Sequence, residues 1–119
     1  MSAIITDRRP ETRNPKPETG AMEWTTICRL RDILPWTGVC ALVDGQQIAV
    51  FRYGDGEHLF ALGNFDPVGK AFVLSRGMVG NAGDVPFVAS PLYKQRFDLR
   101  SGACLDDVEA RVPAYPVRL

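Results

Sequence analysis

Two alternating apolar stretches flank a single Asp44-Gly45 pair, and no other feature constrains the fold as strongly. Strand side chains alternate faces with a period of two. Over Gly38–Val43 this sets Val39, Ala41 and Val43 on one side and Cys40 and Leu42 on the other. Over Gln46–Tyr53 it sets Ile48 and Val50 opposite Ala49 and Phe51. Asp and Gly both tolerate the positive φ of a two-residue turn, so the spacing predicts an antiparallel hairpin.

The same grammar runs through most of the chain. Glu23–Arg29 reads as a first strand, and Arg31 to Leu34, before Pro35, as one helical turn. His58–Leu62, Val85–Ala89 and Gln95–Leu99 read as further strands, with turns at Gly54-Asp55-Gly56 and Arg100-Ser101-Gly102. Pro113 and Pro116 confine Val112–Leu119 to an edge or a loosely paired strand. Five glycines between Gly63 and Asp84 predict long connecting loops. No stretch sustains a helical apolar period, so the expected class is all-β, an antiparallel sandwich or barrel. Residues 1–22 carry Pro10, Pro15, Pro17 and Gly20 without apolar periodicity and are expected to be a disordered tail. Residues 23–119 form the domain, one large enough to bury roughly 60–65% of its unfolded surface.

Composition removes several function classes. Basic and acidic side chains balance at 14 each, so no global field draws the chain to nucleic acid or an anionic membrane. No apolar run approaches the ~18 residues of a membrane helix or the length of a signal peptide. Cys28, Cys40 and Cys104 are odd in number and include no Cys-x-x-Cys pair. They are expected to be reduced thiols, two or three of them in the core, which fits a cytoplasmic protein. His58 is the sole histidine and has no acidic or thiol partner at motif spacing, so it reads as a turn residue rather than a catalytic or metal-binding one. No phosphate loop occurs. Asp106, Asp107 and Glu109 read as a solvated turn, and Tyr93-Lys94-Gln95-Arg96 as an exposed strand end.

Ser90-Pro91-Leu92-Tyr93-Lys94-Gln95-Arg96-Phe97-Asp98, followed by Gly102-Ala103-Cys104-Leu105, resembles the second half of a Rieske domain. The opening Trp24-Thr25-Thr26-Ile27-Cys28 and the closing Val112–Arg118 are similar to the ends of such domains. A Rieske centre is held by Cys-x-His in one loop and Cys-x-x-His in the next. Here the loops read Asn64-Phe65-Asp66 and Ser90-Pro91-Leu92-Tyr93. By this resemblance Asn64 and Ser90 stand at the cysteine positions, and Asp66 and Tyr93 at the histidine positions. All four ligands are replaced. The replacements are expected to fill the site and tie the loops by hydrogen bonds.

Four blocks narrow the resemblance. They are Asp32-Ile33-Leu34-Pro35 with Thr37 to Leu42; Asn64-x-Asp66-Pro67; Val73 to Gly77; and Val88 to Phe97. They resemble the small subunit of cytoplasmic NAD(P)H nitrite reductase, a cluster-free Rieske-like family. The resemblance implies no cofactor, metal or catalytic residue in this chain. It implies a large-subunit partner that carries siroheme, FAD and an iron–sulfur cluster and reduces nitrite with NAD(P)H, with no nucleic-acid or membrane partner. Arg76, Lys94 and Arg96 are the expected contacts to that partner. A [2Fe–2S] ferredoxin of an oxygenase and a free-standing interaction module are the alternatives.

Overall fold

The computed structural model describes residues 11–15 and 22–119. The strands are β1 (Glu11–Pro15), β2 (Met22–Thr26), β3 (Gly38–Val43), β4 (Gln46–Tyr53), β5 (His58–Gly63), β6 (Phe65–Asp66) and β7 (Ala71–Phe72). They continue with β8 (Met78–Ala82), β9 (Val85–Ala89), β10 (Arg96–Asp98), β11 (Ala114–Tyr115) and β12 (Val117–Arg118). Two 3₁₀ turns cover Leu30–Asp32 and Leu74–Arg76.

Strand β4 organises the rest, because its apolar residues are buried on both faces. Ile48 and Val50 join Ile33, Val43 and Ala61 in one core. Ala49 and Phe51 join Leu62, Leu74, Val88 and Phe97 in the other. Each fully buried Val, Leu, Ile or Phe side chain among them contributes about 1.5–3 kcal/mol. The central antiparallel sheet runs β11-β5-β4-β3. Val117 of β12, with Ile27 and Cys28 just past β2, packs on the first core, beside the sheet β12-β1-β2. Val79, Val88 and Phe97 bring the sheet β10-β9-β8 onto the second. None of these sheets closes on itself, so the architecture is stacked open sheets and not a barrel.

The hairpin forms as its residues require. Val43 pairs with Gln46, and Asp44 and Gly45 take φ of 50° and 79°. Two expectations change. The glycine-rich stretch from Gly63 to Asp84 is not all loop: it contains β6, β7 and β8, and Gly83-Asp84 turns β8 into β9 through the Ala82–Val85 pair. Glycine suppressed the alternation there, although Gly-Asp is itself a two-residue turn signal. The first turn covers Leu30–Asp32 rather than residues 31–34, because Leu30 is buried and the Arg29 N–H donates to Asp32 Oδ2 at 3.2 Å. Within the stretch expected to be a tail, Glu11–Pro15 pairs with both β2 and β12. Residues 1–10 and 16–21 lie outside the described residues.

Cys104 is in the core, Cys28 is half-buried and Cys40 is exposed; all three are free thiols. Among the described residues no helix is long and apolar enough to cross a membrane.

Two glycines separate backbone strain from steric overlap. At Gly45 (φ 79°) an added Cβ meets nothing within 4 Å, whereas at Gly102 (φ 80°) it would sit 2.0 Å from the Val112 carbonyl oxygen. Gly45→Ala should cost about 1 kcal/mol. Gly102→Ala should cost about 3 kcal/mol or more, read from urea unfolding midpoints.

Candidate functional site

Two loops meet at one end of the second core. The first leaves β5 at Asn64, which is buried and engaged on every side. Its N–H donates to the Gln47 carbonyl at 3.0 Å, and its Nδ2 donates to Gln47 Oε1 at 3.0 Å. Its Oδ1 accepts from the Ser75 N–H at 2.7 Å, and its carbonyl accepts from Leu74 N–H at 3.1 Å. One side chain thus ties the loop to the start of β4 and to the second 3₁₀ turn.

Two residues on, Asp66 is wholly buried. Burying a carboxylate is tolerable only where its lone pairs are used. Oδ1 accepts from the N–H groups of Val68 (2.8 Å) and Gly69 (3.0 Å), closing the loop on itself. Oδ2 accepts from the Ser90 hydroxyl at 2.5 Å, across 24 positions of sequence. Ser90 is also buried, and its Oγ accepts from the Leu92 N–H at 3.3 Å. The Asp66–Ser90 bond is the direct link between the loops.

The loops share a construction. Lys70 N–H donates to the Asp66 carbonyl at 2.7 Å, and Lys94 N–H donates to the Ser90 carbonyl at 3.0 Å. Lys70 and Lys94 both sit in the left-handed region, at φ 58° and 65°, and both are exposed. Each lysine therefore closes a five-residue turn at a conformation costing about 1 kcal/mol for a side chain with Cβ.

The other residues singled out from sequence divide. Tyr93 is 67% exposed and takes no part in the junction, so the expectation that it fills the site is corrected: the turn closed by Lys94 carries its ring outward. Arg96 is committed internally. It makes a two-pronged ion pair with Asp106 (2.8 and 3.1 Å), its N–H donates to the same carboxylate, and its guanidinium lies 5.6 Å from the Phe87 ring centroid. Asp106 is thus a clasp rather than a free turn acid. Arg76 and Lys94 are exposed. Sequence reading missed Lys70, whose position at the loop tip depends on the turn, and Gln47, whose amide partner is 17 residues away. The exposed Phe65–Phe72 pair, edge to face at 5.0 Å across β6 and β7, was also missed.

The junction does not fit a [2Fe–2S] cluster. Asn64, Asp66, Ser90 and Tyr93 offer neither thiolate nor imidazole. The loops also touch directly: a Cβ on Gly69 would lie 2.5 Å from Leu92 Cδ1 and 2.8 Å from Asp66 Oδ2. Among the described residues no cluster of three or more His, Cys, Asp or Glu side chains could hold a metal ion.

Residues 23–119 match the Rieske-like [2Fe–2S] domain family, and the stacked antiparallel sheets with two apposed loops are those of that class. The nitrite reductase (NADH) small subunit of Salmonella typhimurium is 46% identical over 97 residues, 82% of this chain and 90% of that one. The solution structure of the nitrite reductase [NAD(P)H] small subunit of Erwinia carotovora superposes with a TM-score of 0.69 at 54% identity, covering 81% of this chain and 74% of that one. The nitrite reductase [NAD(P)H] large subunit of Klebsiella oxytoca is 44% identical over 104 residues, 87% of this chain but 11% of that protein. This chain belongs to the family of nitrite reductase small subunits, within the Rieske-like domains.

Removing the Ser90 hydroxyl leaves Asp66 Oδ2 buried without its partner. Ser90→Ala should lower unfolding free energy by about 1–3 kcal/mol, measured by urea denaturation at pH 7. The hydrogen bonds from the Arg96 side chain and main chain hold the Asp106 carboxyl below its usual range. A lowered folded value means that its stabilisation is complete above the ordinary value of about 4 and fades as pH falls through the lowered one. Asp106→Asn should therefore destabilise the protein at pH 7 and progressively less below pH about 4, in thermal melts across that range.

Proposed function

We propose that this chain is the small, accessory subunit of a cytoplasmic NAD(P)H-dependent nitrite reductase. In this reading it supports reduction of nitrite to ammonium by a large subunit that carries siroheme, FAD and an iron–sulfur cluster. The observation that carries it is similarity along nearly the whole length of a known small subunit, 46% over 90% of that protein. The Klebsiella protein supports the pairing, because there a region like this chain is part of a polypeptide named as the large subunit.

Asn64, Asp66, Ser90 and Tyr93 are read as vestigial cluster-ligand positions. Asp66 and Ser90 now bond to each other, so the loop pair keeps its shape by hydrogen bonding and carries no electrons. An oxygenase ferredoxin would need thiolate and imidazole at positions that hold oxygen and amide groups. No residue of this chain is assigned a catalytic, cofactor or metal role.

The loop tips are the surface proposed to meet the large subunit. They present Lys70, Lys94 and the neighbouring Arg76, while the acid between them, Asp66, is buried. Such a face favours association with acidic groups. Arg96 is withdrawn from the proposed contact set because Asp106 occupies its charge.

Affinity capture of this chain from cells co-expressing the same organism's large subunit should retain a siroheme-containing protein. The isolated chain should be colourless and iron-free. Arg76→Ala combined with Lys94→Glu should weaken the complex several-fold. Stoichiometric iron with visible absorbance in the isolated chain, or capture of no siroheme protein, would overturn the assignment.

A further inference from the structure

Beside the first loop lies an open cleft of about 470 Å³, between the turn of the β3–β4 hairpin, the β6–β7 hairpin and the segment leading into β11. Its apolar walls include Leu42, Phe65, Phe72 and Tyr115. We infer that this cleft receives a bulky apolar side chain of the large subunit, flanked there by a carboxylate; the inference rests on the functional reading above.

Three features specify the occupant. Leu42 is 73% exposed, Phe72 56% and Phe65 40%. A pocket for a free small molecule encloses most of its ligand, whereas walls this open fit a side chain delivered by a second surface that completes the burial. Among the described residues Arg111 is the one charged side chain lining the cleft and no acid lines it, so a carboxylate next to the apolar anchor is the complementary charge. Finally, Asn64, Phe65 and Pro67 belong both to the cleft wall and to the first loop, so the cleft continues the surface proposed above to meet the large subunit. The wall is prebuilt: Phe65 and Phe72 brace one another edge to face, and Gln47, bonded to Asn64, also lines the cleft.

Leu42 allows a clean test. It is on the outward side of β3, so substitution leaves both cores intact. Leu34, 69% exposed, is the control. Its loop is bonded to Arg52 at the far end of β4 from Gln46 and Gln47. Binding of the purified full-length variants to the same organism's large subunit would be titrated, with circular dichroism confirming unchanged folding. Leu42→Glu should weaken binding on the order of tenfold. Leu42→Lys should weaken it clearly less, because it adds no repulsion to a carboxylate, and Leu34→Glu should bind like wild type. If wild type binds but Leu42→Glu binds within twofold of it, the cleft is not the anchor site and the subunit assignment stands. If Leu42→Lys is as damaging as Leu42→Glu, the flanking carboxylate is wrong. If Leu34→Glu is equally damaging, the effect is not specific to the cleft. If wild type fails to bind, the subunit reading itself fails.

Discussion

The burial of β4 on both faces is the constraint on which the structure hangs. Ile48 and Val50 commit one face to a core, Ala49 and Phe51 commit the other, and the strand is hydrogen-bonded to β3 and β5. A strand held on four sides is a rigid reference for whatever attaches to its ends. At one end Gln47 holds Asn64 by both main chain and side chain. At the other, the Arg52 guanidinium donates to the carbonyls of Ile33, Asp55 and Gly56, fastening the neighbouring turns. The Asn64 loop and the turns beside Arg52 are thus anchored to the core, not merely appended to it.

From Asn64 the order propagates to Asp66, and from Asp66 to Ser90. A metal cluster cross-links two loops through four ligand bonds. Here one buried carboxylate and one hydroxyl make the direct link, and the remaining Asp66 oxygen shapes the first loop. That bond keeps the two loops apposed by hydrogen bonding alone. Charge follows the same economy: Arg96 and Asp66 are spent internally, leaving Lys70, Lys94 and Arg76 facing outward.

The site was partly legible beforehand. The resemblance to the two Rieske loops pointed to Asn64, Asp66 and Ser90, because polar residues in apposed loops have few places to go except toward one another. Tyr93 fits the same spacing, yet its ring points outward, since a turn closed at Lys94 reverses the chain beneath it. Arg96 looked like a free cation because its partner Asp106 is ten residues away, in a segment that reads as a plain acidic turn. Lys70 gave no signal, because a left-handed lysine is dictated by loop closure and not by residue preference.

Local physics alone settled the β3–β4 hairpin. Period-two alternation chose its faces, and Asp44-Gly45 chose its turn. Those effects act over a few neighbouring residues, so they can be read in a line. Which core each face of β4 enters, how the glycine-rich stretch divides into β6, β7 and β8, and which oxygen of Asp66 meets Ser90 were decided only in three dimensions. Hydrogen bonds and packing between residues tens of positions apart exist only once the intervening chain has folded, and no local pattern carries them.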